Sequence, residues 1–378
     1  MSFKNFSRIF ALLFILLFTF TLPFPLQFIE HPAFLFEQGF ISFEKVICEF
    51  FGLNFDFQGH FYSDSPDLLV HTFFLIFFSL LGAFFLSKYF KNRKIETLLI
   101  TSSSYILAFF LIKYGFDKLF KLQFYAPEPN ILFTPFGKLD KDILYWSTIG
   151  KSYSYNVFLG LLEIIPGILL FHHKTRKLGA FIAFGVLINV LMINISYQIE
   201  VKILSSFLVF LSLCILSSYW KEFFAFFIQN KTVPIREREE LDLPIKLKPL
   251  LKFTLIFYIF FESIFLAFTT ENFNDDLDKR PKFHGTYEIQ SSAQEISDLF
   301  HLKQKVKRFF IHRQGYFILQ TENDDFFDYK EQSFEKFNFI TLDKPENIKI
   351  EFIKQKNNYQ VKFESEKGSF VAKTLKIQ

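Results

Sequence analysis

Seven apolar stretches, at 8–28, 67–88, 95–116, 156–173, 178–199, 202–220 and 250–270, dominate this chain, and a polar tail follows them to residue 378. A helix needs about 20 mostly apolar residues to cross the hydrocarbon core of a bilayer. A backbone in lipid must satisfy its own hydrogen bonds, which leaves helices as the spanning element for runs of this kind. The patterning predicts a multi-pass α-helical membrane protein with about seven transmembrane helices and one extramembrane domain at the C-terminus.

The distribution of Lys and Arg near the spans predicts orientation. Lys4 and Arg8 precede the first span; Lys88, Lys91, Arg93 and Lys94 fill the second turn; Lys174, Arg176 and Lys177 fill the fourth. The connection 221–249 adds Lys221, Lys231, Arg236, Arg238, Lys246 and Lys248. These segments are expected in the cytoplasm. Residues 29–66 set Lys45 against Glu30, Glu37, Glu44, Glu49, Asp56 and Asp64, and are expected as an outer loop. The loop 117–155 votes against this scheme with Lys118, Lys121, Lys138, Lys141 and Lys151, but inverting the chain would misplace many more cations. The N-terminus is therefore expected inside a bacterial inner membrane and the C-terminal domain outside, in the periplasm. The first run ends in Thr21-Leu22-Pro23-Phe24-Pro25 without a small-x-small cleavage pattern, so it reads as an uncleaved anchor.

Composition narrows the function. Phe supplies 61 of 378 residues, which fits lipid-facing surface in a chain rich in Phe, Ile, Lys and Asn, the usage of an AT-rich genome, rather than an aromatic cofactor box. The net charge of +4 lies mostly in the cytoplasmic turns and calls for no nucleic acid. Cys48 and Cys214 are expected in different compartments, and the chain has no Cys-x-x-Cys. His71 is the one histidine within a span away from its ends, and His172 and His173 sit at the inner end of the fourth, so a haem between facing histidines is not expected, nor is a metal site. The sequence has no Walker loop, dinucleotide glycine fingerprint or nucleophile elbow.

An ionisable residue inside the membrane is expensive and is a functional candidate by default. Glu163 lies in the fourth span, Asn189 in the fifth and Glu262 in the seventh. Counted from the inner turns at 1.5 Å per residue, all three reach roughly 18–21 Å, one layer near the membrane centre. Such a layer can bind a small polar headgroup or relay a proton. The plainer alternative is a hydrogen bond that glues helices together, with Asn189 as the expected partner of Glu163. Pro166 and Gly167 follow Glu163, and a kink is expected there. A second polar group, Lys113, Tyr114, Asp117 and Lys118, lies at the end of the third span, with Lys113 and Asp117 one turn apart; the plainer reading is an interfacial anchor. Glu163, Asn189, Glu262, Lys113 and Asp117 are the candidate ligand-binding residues, and none of them is assigned a catalytic role.

The middle of the chain resembles the DoxX-like family of bacterial membrane proteins. Tyr114-Gly115-Phe116-Asp117-Lys118-Leu119 resembles the family's Gly-x-x-Lys-Leu helix end. Leu162-Glu163-Ile164-Ile165-Pro166-Gly167 resembles its Glu-x-x-Gly-Gly step, with Pro in place of the first Gly. Arg176-Lys177-Leu178-Gly179-Ala180 is similar to the helix start that follows, and the run Asn189 to Tyr197 looks like a larger subgroup with extra spans and a C-terminal β domain. The resemblance covers about 95–230. It implies a four-helix membrane core and a subunit linked to quinone-dependent sulfur oxidation or thiol stress through membrane or periplasmic protein partners. No cofactor is evident in the residues themselves; a quinone is the class the resemblance leaves open. The alternative is a non-catalytic anchor in the bilayer that displays the β domain, and neither reading is of an enzyme acting alone.

After Arg280-Pro281 the apolar period shifts to two. Strands are expected at 285–290, 306–312, 315–321, 324–330, 335–342, 347–354, 358–364 and 369–377, with a short helix at 294–303. Tight turns between them predict an antiparallel meander closed into a small barrel, filled or narrow because so much Phe must go inside. Gly285-Thr286-Tyr287 faintly resembles the opening of lipocalin-type barrels. The expected organisation is 1–94, two spans and an outer loop; 95–230, the four-helix core; 231–280, a linker and the seventh span; and 281–378, the β domain.

Overall fold

A computed structural model describes residues 3–22, 24, 26, 33–61, 63–89, 92–232, 247–277, 279–330, 339–342, 348–355, 358–365 and 368–377. The chain divides into two compact units: Met1–Phe124 with Ser152–Asn274, and Tyr125–Lys151 with Asp275–Gln378.

The first unit is helical: α1 (Phe3–Thr21), α2 (Ala33–Phe50), α3 (Pro66–Leu86), α4 (Asn92–Leu119), α7 (Tyr153–Leu170), α8 (Arg176–Ser196), α9 (Lys202–Ser217), α10 (Trp220–Phe227) and α11 (Leu247–Thr269). The short helices α5 (Pro129–Leu132) and α6 (Lys141–Gly150) belong to the second unit. Local chemistry sets several starts. Ser65 caps α3 by accepting from the Leu68 N–H, with Pro66 and Asp67 in the first turn, and Ser152 caps α7 through the Tyr155 N–H. α4 ends in a Schellman turn: Lys121 adopts φ 54°, the Leu122 N–H reaches the Asp117 carbonyl at 2.7 Å, and the Lys121 N–H reaches Lys118 at 3.0 Å.

Among the described residues six helices are long and apolar enough to cross a membrane: α1, α3, α7, α8, and the segments Lys94–Leu119 of α4 and Pro249–Thr269 of α11. The stretch expected as one span at 202–220 is instead a pair. α9 stops after 16 residues and α10 leaves at a 77° bend, so a seventh span exists only if the bent pair counts as one. The region expected as an outer loop at 29–66 contains α2. Its composition hides it from a hydropathy count, because Glu37, Glu44, Lys45 and Glu49 interrupt the apolar run. The helix is turned inside out: Ala33, Glu37, Ile41, Glu44 and Cys48 form the buried stripe, while Leu35, Phe36, Val46 and Phe50 are exposed. Both cysteines are free and buried.

The second unit carries β1 (Gly285–Ile289), α12 (Ala293–Leu299), β2 (Val306–Ile311), β3 (Tyr316–Thr321), β4 (Phe326–Lys330), β5 (Phe339–Thr341), β6 (Lys349–Gln355), β7 (Asn358–Ser365) and β8 (Gly368–Lys376). Seven strands lie close to the expected positions, and β5 covers 339–341 of the expected 335–342, whose residues 335–338 lie outside the described residues. Every chain neighbour pairs antiparallel except β4 with β5, and β1 pairs with β8, giving the order β4-β3-β2-β1-β8-β7-β6-β5. The expected closed barrel is therefore an open half-barrel among the described residues, with β4 and β5 as its two edges. Its concave side is filled with aromatic rings: Tyr287 stacks on Phe309 at 4.8 Å, Phe283 on Phe352 at 4.1 Å, and Phe363 and Phe317 are fully buried.

Strands β2 and β3 are buried on both faces, with Phe310 and Gln320 inaccessible although they alternate with the core positions Phe309 and Leu319. The segment around α5 covers them. Phe133 meets the Phe310 ring at 6.0 Å, its carbonyl accepts from Gln320 Nε2 at 3.0 Å, and Lys138 Nζ donates to the Asn323 carbonyl at 2.7 Å.

Candidate functional site

A buried ion pair joins α4 and α7. A stripe of α7, Asn156, Gly160, Glu163, Gly167 and Leu170, is buried at alternating steps of four and three. It faces a matching stripe of α4 that includes Ala108, Leu111, Gly115 and Lys118. Two glycines set the spacing. A Cβ on Gly160 would lie 2.6 Å from the Gly115 carbonyl oxygen, and one on Gly115 would lie 2.9 Å from the Gly160 oxygen. Small residues at such a crossing let the two backbones touch, as membrane helices require when water supplies no driving force between them. Gly160→Ala is expected to lower stability by about 1–3 kcal/mol through overpacking, read as a fall in thermal midpoint in detergent. An unchanged midpoint would mean the helices are not this close.

That close approach brings Lys118 to Glu163. Lys118 Nζ donates to Glu163 Oε2 at 2.8 Å, and both side chains are less than a tenth exposed. One residue earlier on α4, Asp117 accepts from Lys113 Nζ through both oxygens at 2.7 Å. Tyr114 sits on the same turn, with the Lys118 ammonium 5.7 Å from its ring, and the Phe124 ring lies 5.8 Å from that ammonium on another side. Two ion pairs thus sit at one end of α4, the Lys118–Glu163 pair bridging to α7 and the Lys113–Asp117 pair within α4 itself. A lone charge in this apolar setting would cost several kcal/mol, which the pairing offsets. The group can present an ammonium and a phenol as donors and two carboxylates as acceptors to one polar ligand.

Glu163, Lys113 and Asp117 are therefore brought together, with Lys118 as the member that joins them. Asn189 is not: it is exposed on α8, and the expected Glu163–Asn189 contact is replaced by Lys118–Glu163. The error came from matching depth without matching helix face. Glu262 is fully buried in α11 and hydrogen-bonds Tyr258 one turn before it. Pro166 lies inside α7, which runs through it as one helix, and its carbonyl is approached by Gly179 at the start of α8. The signal for Lys118 was present in the sequence, since a lysine three residues past a glycine follows α4's buried stripe.

The second unit has its own charged cluster. Glu128, just before α5, accepts from the Arg313 N–H at 3.1 Å, from Arg313 Nε, and pairs with His284 Nε2 at 2.9 Å. Arg313 also binds both oxygens of Asp275, and Asp275 is held by Arg280. Burial alone would raise the Glu128 carboxyl, but the His284 hydrogen bond and the charge and hydrogen bonds of Arg313 outweigh it and bring it down to about 2. Burial pushes His312, on the turn after β2, below its ordinary value. Among the described residues no group of three or more His, Cys, Asp or Glu could hold a metal ion.

No family model and no solved structure matches the chain. A similar relative is the uncharacterised protein YwoB of Bacillus subtilis (strain 168), 32% identical over 133 residues, which are 35% of this chain and 82% of YwoB.

Proposed function

We propose that this chain, which belongs to the same family as Bacillus subtilis YwoB, is a multi-pass membrane subunit of DoxX-like type. In this reading the α4–α7 polar layer holds the polar head of a small membrane-soluble molecule of the quinone class. The observation that carries it is the buried Lys118–Glu163 pair beside Lys113–Asp117. Helix association needs only small residues and neutral hydrogen bonds, which Gly115 and Gly160 already serve; a buried ion pair between the helices, with a second pair one turn away on α4, exceeds that need. In this reading Lys118 and Tyr114 would donate to a quinone carbonyl, and Glu163 and Asp117 would take protons from a quinol hydroxyl. Redox chemistry would come from the bound molecule and from partner proteins.

Sidedness follows the same reading, with the N-terminus in the cytoplasm and the β unit outside. The make-up of the second unit supports it. Residues 125–151 follow α4 and residues 275–378 follow α11, and they fold as one unit; this reading takes both pieces to lie on one side of the membrane, with α7, α8, α11 and the bent α9–α10 pair as the four crossings between them. At 1.5 Å per residue, α9 alone spans only roughly 24 Å, so part of α10 completes the crossing. A reporter active only in the cytoplasm, fused after Gln378, is expected to give no signal; strong activity would reverse the assignment.

Ligand binding is tested with a short-chain ubiquinone added to the purified protein in detergent. The expected result is a rise in thermal midpoint that Glu163→Gln and Lys118→Gln abolish while the variants stay folded. No rise in the unaltered protein, or the same rise in both variants, would overturn the reading. The second reading, an anchor that displays the β unit, is favoured by the edges at β4 and β5, which no strand pairs among the described residues, since an unpaired edge can accept a partner's strand. Capture of a defined protein partner that Glu163→Gln leaves intact would support it.

A further inference from the structure

Helix α2 buries one face, and what it leaves exposed is of two kinds. Gln38, Ser42, Lys45 and Glu49 are exposed polar residues, while Leu35, Phe36, Phe43, Val46 and Phe50 are large apolar residues more than half exposed. Placed at about 100° per residue, the polar set, the apolar set and the buried stripe of Glu37, Ile41, Glu44 and Cys48 fall in three separate sectors. Each sector runs nearly the length of the helix.

The neighbours of α2 show which way each sector looks. Asn5, at the start of α1, donates to the Ser87 carbonyl just past α3 at 3.1 Å, and Thr21 Oγ1, at the end of α1, lies 2.8 Å from His71 Nε2 near the start of α3. α1 and α3 are therefore antiparallel, and the chain leaves one and enters the other at the same end of the bundle. α2 lies between them and adds no net crossing. Its buried stripe holds on at that end: Glu37 accepts from the Phe61 N–H, and Glu44 Oε1 lies 2.6 Å from His71 Nδ1. The polar sector turns to the connecting loop, where Gln38 Nε2 donates to the Gly59 carbonyl at 2.7 Å. The apolar sector turns the other way, along α3. There Phe43 meets the Phe74 ring at 6.4 Å, and the surface continues onto the exposed Phe73 and Phe77.

We propose that α2 is an in-plane helix of the membrane interface, with its apolar sector seated in the acyl chains of the leaflet where α1 ends and α3 begins. The proposal rests on the reading of the helical unit as membrane-spanning and on nothing assigned to the α4–α7 pairs. A crossing helix would carry the exposed Lys45 and Glu49 into hydrocarbon, where charge is expensive. A helix in water would leave five large apolar side chains uncovered in one patch. Lying in the plane serves both exposed sectors at once, with headgroups and water on one side and acyl chains on the other. The depth agrees: His71 and Phe74 lie roughly 8 and 12 Å along α3 from Pro66, and interfacial helices sink their apolar face about 5–10 Å into the boundary. Lys45, next to Val46 on the wheel's edge, can extend its ammonium up to the phosphates.

Depth-dependent fluorescence quenching of the full chain in phosphatidylcholine vesicles tests this. Trp146 and Trp220, neither of them buried, are replaced by Phe, and single tryptophans are then placed at exposed positions. Leu35→Trp, Val46→Trp and Phe50→Trp report the apolar sector, Ser42→Trp and Glu49→Trp the polar sector, and Phe77→Trp the surface of α3. The three apolar-sector variants are expected to lose emission to lipids brominated near the headgroup end of the chain, all to a similar extent, and to resist aqueous acrylamide. Ser42→Trp and Glu49→Trp should lose emission to acrylamide. Phe77→Trp should be quenched most by lipids brominated near the chain end. Acrylamide quenching of the apolar sector, with Phe77→Trp still reached by the deep bromines, would overturn the proposal and leave the membrane reading standing. Quenching that deepens from Leu35 to Phe50 would mark a helix that dips into the core, and apolar-sector tryptophans that neither reagent reaches would mark cover by a second copy; either would overturn it. Acrylamide access at Phe77→Trp would remove the membrane reading itself, and the proposal with it.

Discussion

Lys118→Met is expected to destabilise the helical unit by about 3–5 kcal/mol, because it leaves the Glu163 carboxylate buried without its cation. The tight crossing at Gly115 and Gly160 gives Glu163 no room to swing toward water, and its position on the buried stripe of α7 gives it no polar surface to reach. Glu163→Leu should cost a similar amount by stranding the ammonium, somewhat softened because a lysine stem can bend toward a polar edge. The decisive variant is the double change Lys118→Met with Glu163→Leu. Removing both charges replaces a desolvated pair with apolar contacts, and such replacements are often neutral or stabilising. Thermal midpoints of the four proteins give the coupling directly. A double variant whose loss equals the sum of the single losses would show that the two groups do not interact. Asn189→Leu serves as the control and should change little, since Asn189 is exposed on α8.

Much of this architecture was legible in the residues, and the failures have physical causes. Long apolar runs mark crossing helices because lipid tolerates little else, and period-two alternation with glycine and asparagine turns placed all eight strands of the half-barrel. α2 escaped because its acids lie on the buried stripe, the reverse of what amphipathicity leads one to expect; the spacing of Glu37, Ile41, Glu44 and Cys48 is helical, but hydropathy averages that away. The bend after Ser217 has no proline or glycine to announce it. The Glu163 partner was missed because depth along a helix is easy to count while its azimuth is not. Residues 125–151 lay outside any strand or span signal, yet a clue was present: Phe309-Phe310-Ile311 and Phe317-Ile318-Leu319 are continuous apolar runs, the pattern of strands covered on both faces. Something had to cover the outer face, and the segment around α5 does.

Arg313→Met is expected to lower the stability of the β unit by about 3 kcal/mol at neutral pH, the lower end for removing one member of a buried charge pair, since the guanidinium is one-fifth exposed. Arg313 bonds both Glu128 and Asp275, whose side chains are 3% and 2% exposed. Without its guanidinium Glu128 keeps His284 and the backbone N–H of residue 313, and Asp275 keeps Arg280 and the Ala126 N–H. The loss should depend on pH in a definite sense. Glu128 titrates at about 2 in the folded protein against an ordinary 4.5, and Asp275 is likewise held below its ordinary 3.8. Folded values below unfolded ones mean that this stabilisation is complete above about pH 4.5 and fades as pH falls toward 2. The unaltered protein should therefore lose stability over that acid range, while Arg313→Met, already without the interaction, should show a flatter profile. The same geometry predicts that a fragment beginning at residue 281 is weaker than the intact unit, because it lacks both Glu128 and Asp275 and exposes the outer face of β2 and β3 at Phe310. Circular dichroism melts of the full chain and Arg313→Met, followed at the β signal across that range, measure both effects. Parallel pH profiles for the two proteins would show that Glu128 and Asp275 owe their low values to something other than Arg313.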